Sequence, residues 1–245
     1  MTNLIRKDDE ITFLRRGSSF RFECEACGRC CSEYRIILSP YDILRLRRAT
    51  GLSTAELRAR GTIGIKRESF KKVFGFAPIA DLFEVFGLPA NDVVPIATLK
   101  FQKKERGKNV CEFLAPPRDG KRLCTIYADR PGMCRLHPLG CVTIANRRQW
   151  FFRQPLCAQP GKLGTSRRWR DGIVSPIFQG ASSWCPGTEH TVSQWLRESG
   201  ARPFLAANTR FLKWIQQLLG EYENLSSITE DHWKLLEQIW YDMDS

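Results

Sequence analysis

Hydrophobic and polar positions follow two patterns along the chain. Over the first two thirds, short runs of apolar and β-branched residues separated by turn residues predict strands and hairpins. Residues 11–14 and 20–22 flank a polar turn at 15–19 and predict a first hairpin, whose second arm leads into Cys24. Further strands are predicted over residues 34–38, 93–101, 110–114, 123–127, 142–145 and 149–152, the last two as a hairpin.

Helix-capping residues predict where the helices begin. Ser39-Pro40-Tyr41-Asp42 combines an N-cap serine, a proline at the first helical position and a capping-box acid. The same signature at 53–56 begins a short helix that ends near Gly61. Asp129-Arg130-Pro131 is predicted to cap a helical turn. In the last third, apolar stripes at helical spacing predict helices that begin at Thr191, Phe204 and Thr229, with Gly200 ending the first of them.

These elements predict an α+β fold. We expect a small irregular domain of short strands, hairpins and helices over residues 1–190, with a helical C-terminal extension over 191–245 packed on it. The aromatic and glycine-rich stretch at about 62–95 is predicted to be an insertion with a short helix near 79–86. Pro95 within the predicted strand 93–101 favours an edge position in its sheet.

Ten cysteines add chemistry to this picture. A tight group of four reads C-x2-C-x2-C-C, and Gly28 follows its second cysteine, where a turn often needs positive φ. Thiols at this spacing are typical of a metal site that stabilises a small domain. The alternatives are a disulfide framework, thiol redox chemistry and inert buried thiols. The candidate metal ligands are Cys24, Cys27, Cys30, Cys31, Cys111, Cys124, Cys134, Cys141, Cys157 and Cys185.

The expected location of the protein in the cell favours a metal site over disulfide bonds. The first residues contain no apolar run of signal-peptide length, and no stretch of about 18 apolar residues predicts a transmembrane helix. We therefore expect a cytoplasmic protein that does not enter a membrane. Reducing conditions there favour metal ligation over disulfides.

The cysteines differ in how strongly the sequence supports a ligand role and in which kind of centre they favour. Adjacent Cys30 and Cys31 would point to opposite sides of an extended backbone, which favours two metals or a wide cluster over one tetrahedral zinc ion. The ferredoxin pattern matches the first three cysteines and fails at the fourth. Cys141 and Cys157 fit a ligand role and a buried-thiol role equally, whereas Cys185, beside a proline, favours a ligand role. The cofactor is therefore predicted to be zinc or iron, with an iron–sulfur cluster as one form of the latter.

Several separated motifs strengthen this prediction. They are C-x2-C-G-x-C-C at 24–31, Cys111-Glu112-Phe113-Leu114, Cys124-Thr125-Ile126-Tyr127, and the segment 130–138 with Arg-Pro before Cys134 and Pro138 after it. Together they resemble the YkgJ-type cysteine-cluster family, to which zinc or iron chelation is ascribed. The similarity covers roughly residues 20–140, with a looser continuation to about 190. It implies a metal-chelating domain, and because one branch contains flagellin lysine methylases, it leaves an enzymatic role open.

The net positive charge of the chain is compatible with a polyanionic partner. Lysine and arginine number 38 against 26 acidic residues, a net charge of +12 that favours polyanions such as nucleic acid. Ionised thiols bound to metal would cancel part of this excess, but the arginines at 47–48 and 167–170 are not accounted for in that way. A metal-binding protein is the leading prediction. The alternatives are a metal-cluster enzyme for redox chemistry or protein methyl transfer, and a zinc-stabilised basic module that binds nucleic acid or protein. The oligomeric state is not indicated.

Overall fold

The computed structural model of the chain describes residues 11–69, 93–105, 107–144, 147–153, 187–220, 229–242 and 244. Helices and short antiparallel strand pairs alternate along it, which confirms the α+β prediction. The strands are β1 (Ile11–Leu14), β2 (Ser19–Arg21), β3 (Ile36–Leu38), β4 (Ile63–Ser69), β5 (Val93–Leu99), β6 (Lys103–Glu105), β7 (Lys108–Val110), β8 (Leu139–Ile144), β9 (Arg147–Arg153) and β10 (Glu189–Thr191). The α-helices are α1 (Cys30–Glu33), α2 (Pro40–Thr50), α3 (Thr54–Ala59), α4 (Gly132–Leu136), α5 (Val192–Glu198), α6 (Arg202–Gly220) and α7 (Glu230–Tyr241), and a 3-10 turn spans Tyr127–Asp129.

The predicted helix starts are present. Ser39, Ser53 and Thr191 each accept a hydrogen bond from the backbone N–H three residues on, and each capping box is complete. Thr229 likewise accepts from the backbone N–H of His232 at the start of α7. Because these caps involve residues only three apart, the sequence alone suffices to predict them. No helix in the described ranges is long and apolar enough to cross a membrane.

A three-stranded sheet in the order β3-β5-β4 forms the main core. All seven residues of β4 pair with β5, so the stretch predicted to be an insertion at 62–95 begins and ends inside this sheet. The insertion itself stays a prediction, and the helix predicted near 79–86 lies outside the described residues. Helices α2 and α7 pack against the same core, α7 through the buried side chains of Trp233, Leu236 and Trp240.

Pro95 lies in the central strand, not at an edge, so the edge prediction is wrong. Strand β3 pairs only with residues 97–99 of β5 and stops short of Pro95. The carbonyl of Pro95 accepts a hydrogen bond from Tyr241 Oη at 3.0 Å. Since the N–H and C=O of one strand residue face the same side, the missing N–H lies on the side that α7 covers, where no ladder bond is lost.

The first predicted hairpin does not form as such. A turn joins β1 to β2, with the Ser18 N–H donating to the Arg15 carbonyl at 3.0 Å, but the two strands enter different sheets. Strand β1 pairs over four residues with β9, which also pairs with β8 in the predicted hairpin, and β2 pairs with β10. β9 offers β1 a longer partner than the three-residue β2. A second core forms here around Phe20, Trp150 and Phe152.

The division at residue 190 stays a prediction. Strand β10 runs from 189 to 191 across the predicted boundary, and α7 of the extension shares the main core with the β3-β5-β4 sheet.

Candidate metal centre

The first four cysteines occupy a tight turn and the short helix that follows it. Ala26 and Gly28 have φ of 51° and 72°, so the chain turns sharply between Cys24 and Cys30. Cys24 and Cys27 are exposed, whereas Cys30 and Cys31, at the start of α1, are half-buried. The motif therefore presents two thiols at the surface and directs two inward.

Gly28 meets the positive φ predicted for it, and it lies close to a later loop. A Cβ at this position would lie 3.1 Å from both Cδ atoms of Leu114. A side chain here would be strained by its backbone conformation and crowded by Leu114 as well.

We expect Gly28→Ala to lower the free energy of unfolding by about 1–3 kcal/mol, because alanine is strained at positive φ and its Cβ would crowd Leu114. Gly107→Ala is the matched control, since Gly107 has φ of 77° and open space around its Cβ position. Urea unfolding of both variants measures the difference. Equal losses would show that the Leu114 contact costs nothing.

Cys30 and Cys31 do not point to opposite sides, because their backbone is helical rather than extended. Their Sγ atoms lie 3.9 Å apart. Two thiolates bound at ~2.3 Å to one tetrahedral ion are separated by about 3.8 Å. The argument from this pair for two metals or a wide cluster therefore rested on the wrong backbone conformation.

Backbone hydrogen bonds fasten two later cysteine loops to this motif. The N–H of Cys111 donates to the carbonyl of Cys31 at 2.8 Å, and the N–H of Arg122 donates to the carbonyl of Ala26 at 2.7 Å. The loops also pair with each other through an antiparallel bridge between Leu114 and Cys124. The strands predicted at 110–114 and 123–127 are thus reduced to the end of β7 and one bridge, but they bring their cysteines together.

Each of these loops directs a backbone N–H at its own sulfur. The amide of Phe113 donates to Cys111 and the amide of Ile126 donates to Cys124, in both cases from two residues later. Donation of this kind stabilises a thiolate and lowers its pKa. Repetition of the arrangement in two loops is characteristic of sulfurs that carry negative charge.

Cys134 lies on α4, and a residue distant in sequence caps this helix. The N–H of Gly132 donates to Asp42 Oδ1 at 2.6 Å. Asp129, predicted to cap the turn, instead forms an ion pair with Arg45 of α2. The predicted helical turn is present, but its cap comes from a residue 90 positions earlier, for which the sequence carries no signal.

The sulfur atoms share one electrostatic neighbourhood. The pKa of Cys30 is raised by its contact with the Cys31 thiol, then by burial and by the charges of Cys31 and Cys27. Burial raises the pKa of Cys111 to about 12 and that of Cys134 well above its usual value. Burial also raises the pKa of Cys124. Repulsion from Cys30 adds to the shifts of Cys111, Cys124 and Cys134.

Arg130 places a positive charge near these thiols and partly offsets the rise in their pKa. Its positive charge lowers the pKa of Cys124 and Cys134, while its guanidinium stacks on Tyr127 at 3.9 Å from the ring centre. A fixed cation beside several thiols is suited to compensating thiolate charge.

Cys141 lies apart from these thiols. It pairs with Trp150 in the β8–β9 hairpin and packs against the second core. Burial raises its pKa to about 11, and the charge of Arg148 opposes that shift.

The ring of His137 packs between Phe22 and Tyr34, and each of those ring centres lies 5.4 Å from the centre of the His137 ring. Cys157 and Cys185 lie outside the described residues.

The described part of the chain shows no coordination sphere. Within it, no group of three or more cysteine, histidine, aspartate or glutamate side chains is arranged to hold an ion. Six of the described thiols nevertheless influence one another's pKa, although no ligand set is fixed among them. They are Cys27, Cys30, Cys31, Cys111, Cys124 and Cys134, here called the sulfur centre.

Comparison with known families agrees with this region. Residues 23–158 match the CxxCxxCC family, described as a "putative zinc- or iron-chelating domain". The match includes every cysteine of the chain except Cys185. Neither a curated protein nor a solved structure matches the chain. Because the matched residues make up more than half of its length, the chain belongs to the CxxCxxCC family.

Proposed function

We propose that this chain is a cytoplasmic metal-binding protein that holds zinc or iron through the sulfur centre. The observation that carries the proposal is the position of Cys30, whose sulfur interacts electrostatically with five other thiols. These come from the turn, α1, two loops and α4, and they are Cys27, Cys31, Cys111, Cys124 and Cys134. Burial and mutual repulsion raise the pKa values of these thiols, so ionising several of them together is costly unless a cation neutralises the thiolates.

The donor set fits zinc and iron. Thiolate sulfur is the ligand that both zinc sites and iron–sulfur clusters use. The backbone amides of Phe113 and Ile126 and the guanidinium of Arg130 supply the surrounding donors and positive charge. When bound, the metal would cross-link segments that are far apart in sequence.

Six thiols exceed the four that one tetrahedral zinc ion needs. We assign the core of the ligand set to Cys30, Cys31, Cys111, Cys124 and Cys134, with the exposed Cys27 closing it from the solvent side. Cys24, three residues before Cys27, is the next candidate, and Cys157 and Cys185 remain candidates by sequence. Cys141 is assigned to the second core instead.

The test is anaerobic purification of the full chain, followed by metal analysis, acid-labile sulfide analysis and a visible absorption spectrum. Stoichiometric iron with sulfide and a brown colour would establish an iron–sulfur centre. Stoichiometric zinc in a colourless protein would establish a thiolate zinc site, and the number of ions per chain would decide between one centre and two. A protein that retains neither metal, and takes up neither on reconstitution, would overturn the proposal.

The structure gives less support to a function in binding nucleic acid or a protein partner through the basic surface. Arg45 pairs with Asp129, and Arg47 pairs with Asp244 at 3.2 Å. These two arginines of α2 are therefore engaged within the chain. The basic segment at 167–170 lies outside the described residues, so binding of nucleic acid or a protein partner stays a prediction from composition. An enzymatic role likewise stays an alternative that the family resemblance leaves open.

A further inference from the structure

Asp42 is a buried carboxylate that joins two helix starts. Asp42 is 5% exposed, whereas most acidic residues that the structure describes face solvent. Oδ2 accepts hydrogen bonds from the backbone N–H of Ser39 at 2.7 Å and from Ser39 Oγ at 2.6 Å. Oδ1 accepts from the backbone N–H of Gly132 at 2.6 Å. One oxygen thus completes the cap of α2, and the other caps the helix that carries Cys134.

The start of α4 is held tightly in this position. A Cβ on Gly132 would lie 3.0 Å from Phe204 Cβ and 3.5 Å from Asp42 Oδ1, so α2 and α6 close on it from two directions. Arg45, one turn after Asp42, bonds the carbonyl of Ala128 at 3.3 Å and pairs with Asp129. Helix α2 therefore fixes the segment before Cys134 at three points.

We propose that Asp42 is the positioning residue of Cys134, setting the orientation of α4 so that this thiol reaches the sulfur centre. This rests on the proposed function above, which it deepens by adding a residue that binds no metal itself. A carboxylate is required because both backbone N–H groups need an acceptor and both oxygens are used. Serine has only one oxygen, and asparagine would turn an N–H₂ group toward one of the two donors.

Ser39→Ala supplies the matched control. It removes the two bonds made by the Ser39 hydroxyl and leaves the Asp42–Gly132 bond intact. Asp42→Ala removes the three bonds that the carboxylate accepts, including the one from Gly132, and keeps the bond from its own backbone N–H to Ser39 Oγ. We expect zinc affinity, measured by competition with a chromophoric chelator, to fall at least tenfold in Asp42→Ala and by less than twofold in Ser39→Ala. Both variants are compared at a temperature where circular dichroism shows them folded. Equal losses in the two variants would overturn the proposal.

A double-mutant cycle separates positioning from general destabilisation. If Asp42 acts through Cys134, adding Asp42→Ala to Cys134→Ser should lower zinc affinity by less than twofold further. A full tenfold further loss in the Cys134→Ser background would overturn the proposal, because Asp42 would then act on the rest of the centre.

A second readout needs no metal. In metal-free protein, alkylation by iodoacetamide is followed at each cysteine by mass spectrometry, with Cys141 in the second core as the internal reference. We expect the Cys134-to-Cys141 rate ratio to rise at least fivefold in Asp42→Ala and to stay unchanged in Ser39→Ala. An unchanged ratio in Asp42→Ala would overturn the positioning role. If the wild-type chain binds no metal, the proposed function fails while this ratio still decides whether Asp42 holds Cys134.

Discussion

Replacing Cys134 with serine is expected to lower the affinity for zinc or iron more than ~100-fold, so that the purified variant retains little metal. Loss of a supporting residue around a metal costs about 10–100-fold, and loss of a ligand costs more. Burial raises the pKa of Cys134, and repulsion from Cys30, Cys111 and Cys124 adds to the shift, which groups this thiol of α4 with the others of the sulfur centre. Metal content per chain after anaerobic purification, with and without a competing chelator, measures the effect.

Cys141→Ser is the control for this substitution. Cys141 is also half-buried and its pKa is also raised by burial, but it packs against the second core. We expect this variant to keep the wild-type metal content. If Cys141→Ser loses as much metal as Cys134→Ser, the assignment of the ligand set to the sulfur centre is wrong. If neither variant loses metal, the ion is held elsewhere.

The sequence predicts those parts of the fold that depend on neighbouring residues. The capping boxes at Ser39, Ser53 and Thr191 need only residues three positions apart, and all of them form. The hairpin of β8 and β9 needs only adjacent strands and a short connection, and it forms as well. The cysteine spacings are also local, and the separated cysteine motifs taken together were sufficient to indicate the family.

Errors arose where the outcome depends on distant segments. Pro95 indicates an edge strand only if the neighbouring strand is long enough to reach it, and β3 is not. The turn after β1 indicates a hairpin only if no better partner exists, and β9 supplies one from more than 130 residues away. Neither partner can be identified from local hydrophobic pattern, because pairing between distant strands depends on the packing of the whole domain.

The same limit applies within the candidate site. Whether Cys30 and Cys31 diverge or converge depends on their backbone conformation, and four residues are too few for helical periodicity to show. Asp42 fits its local role as a capping-box acid so well that its second oxygen, bonded to Gly132, has no sequence signal at all. Cysteine as the ligand type is thus predicted from sequence, whereas the residue that we propose to align Cys134 has no sequence signal.

The sulfur centre is also part of the main hydrophobic core. Cys111 belongs to the buried cluster that includes the β3-β5-β4 sheet and α7, and Cys31, Cys124 and Cys134 pack against that cluster. The loops that carry Cys111 and Cys124 are joined by few backbone bonds. A metal bound here would therefore supply much of the cross-linking that these short elements lack.

Removing the metal should consequently destabilise the chain strongly. A ligand present at a thousandfold excess over its dissociation constant stabilises the folded state by about 4 kcal/mol. For a domain of this size that free energy corresponds to a fall in melting temperature of roughly 8–16 °C. Calorimetry of the protein as purified, and after treatment with a thiol-compatible chelator, measures the shift, and re-addition of the metal should reverse it.

The Cys134→Ser variant separates metal loss from other effects of the chelator. Since this variant is expected to hold little metal, its melting temperature should already be low and should move by less than about 2 °C on chelation. A wild-type melting temperature that does not change on chelation, although metal analysis shows the ion removed, would mean that the centre contributes nothing to folding. Four thiols of the sulfur centre lie in or against the main core, namely Cys31, Cys111, Cys124 and Cys134. We therefore expect unfolding of the metal-free protein to begin in the main core, while the second core around Trp150 stays intact longer.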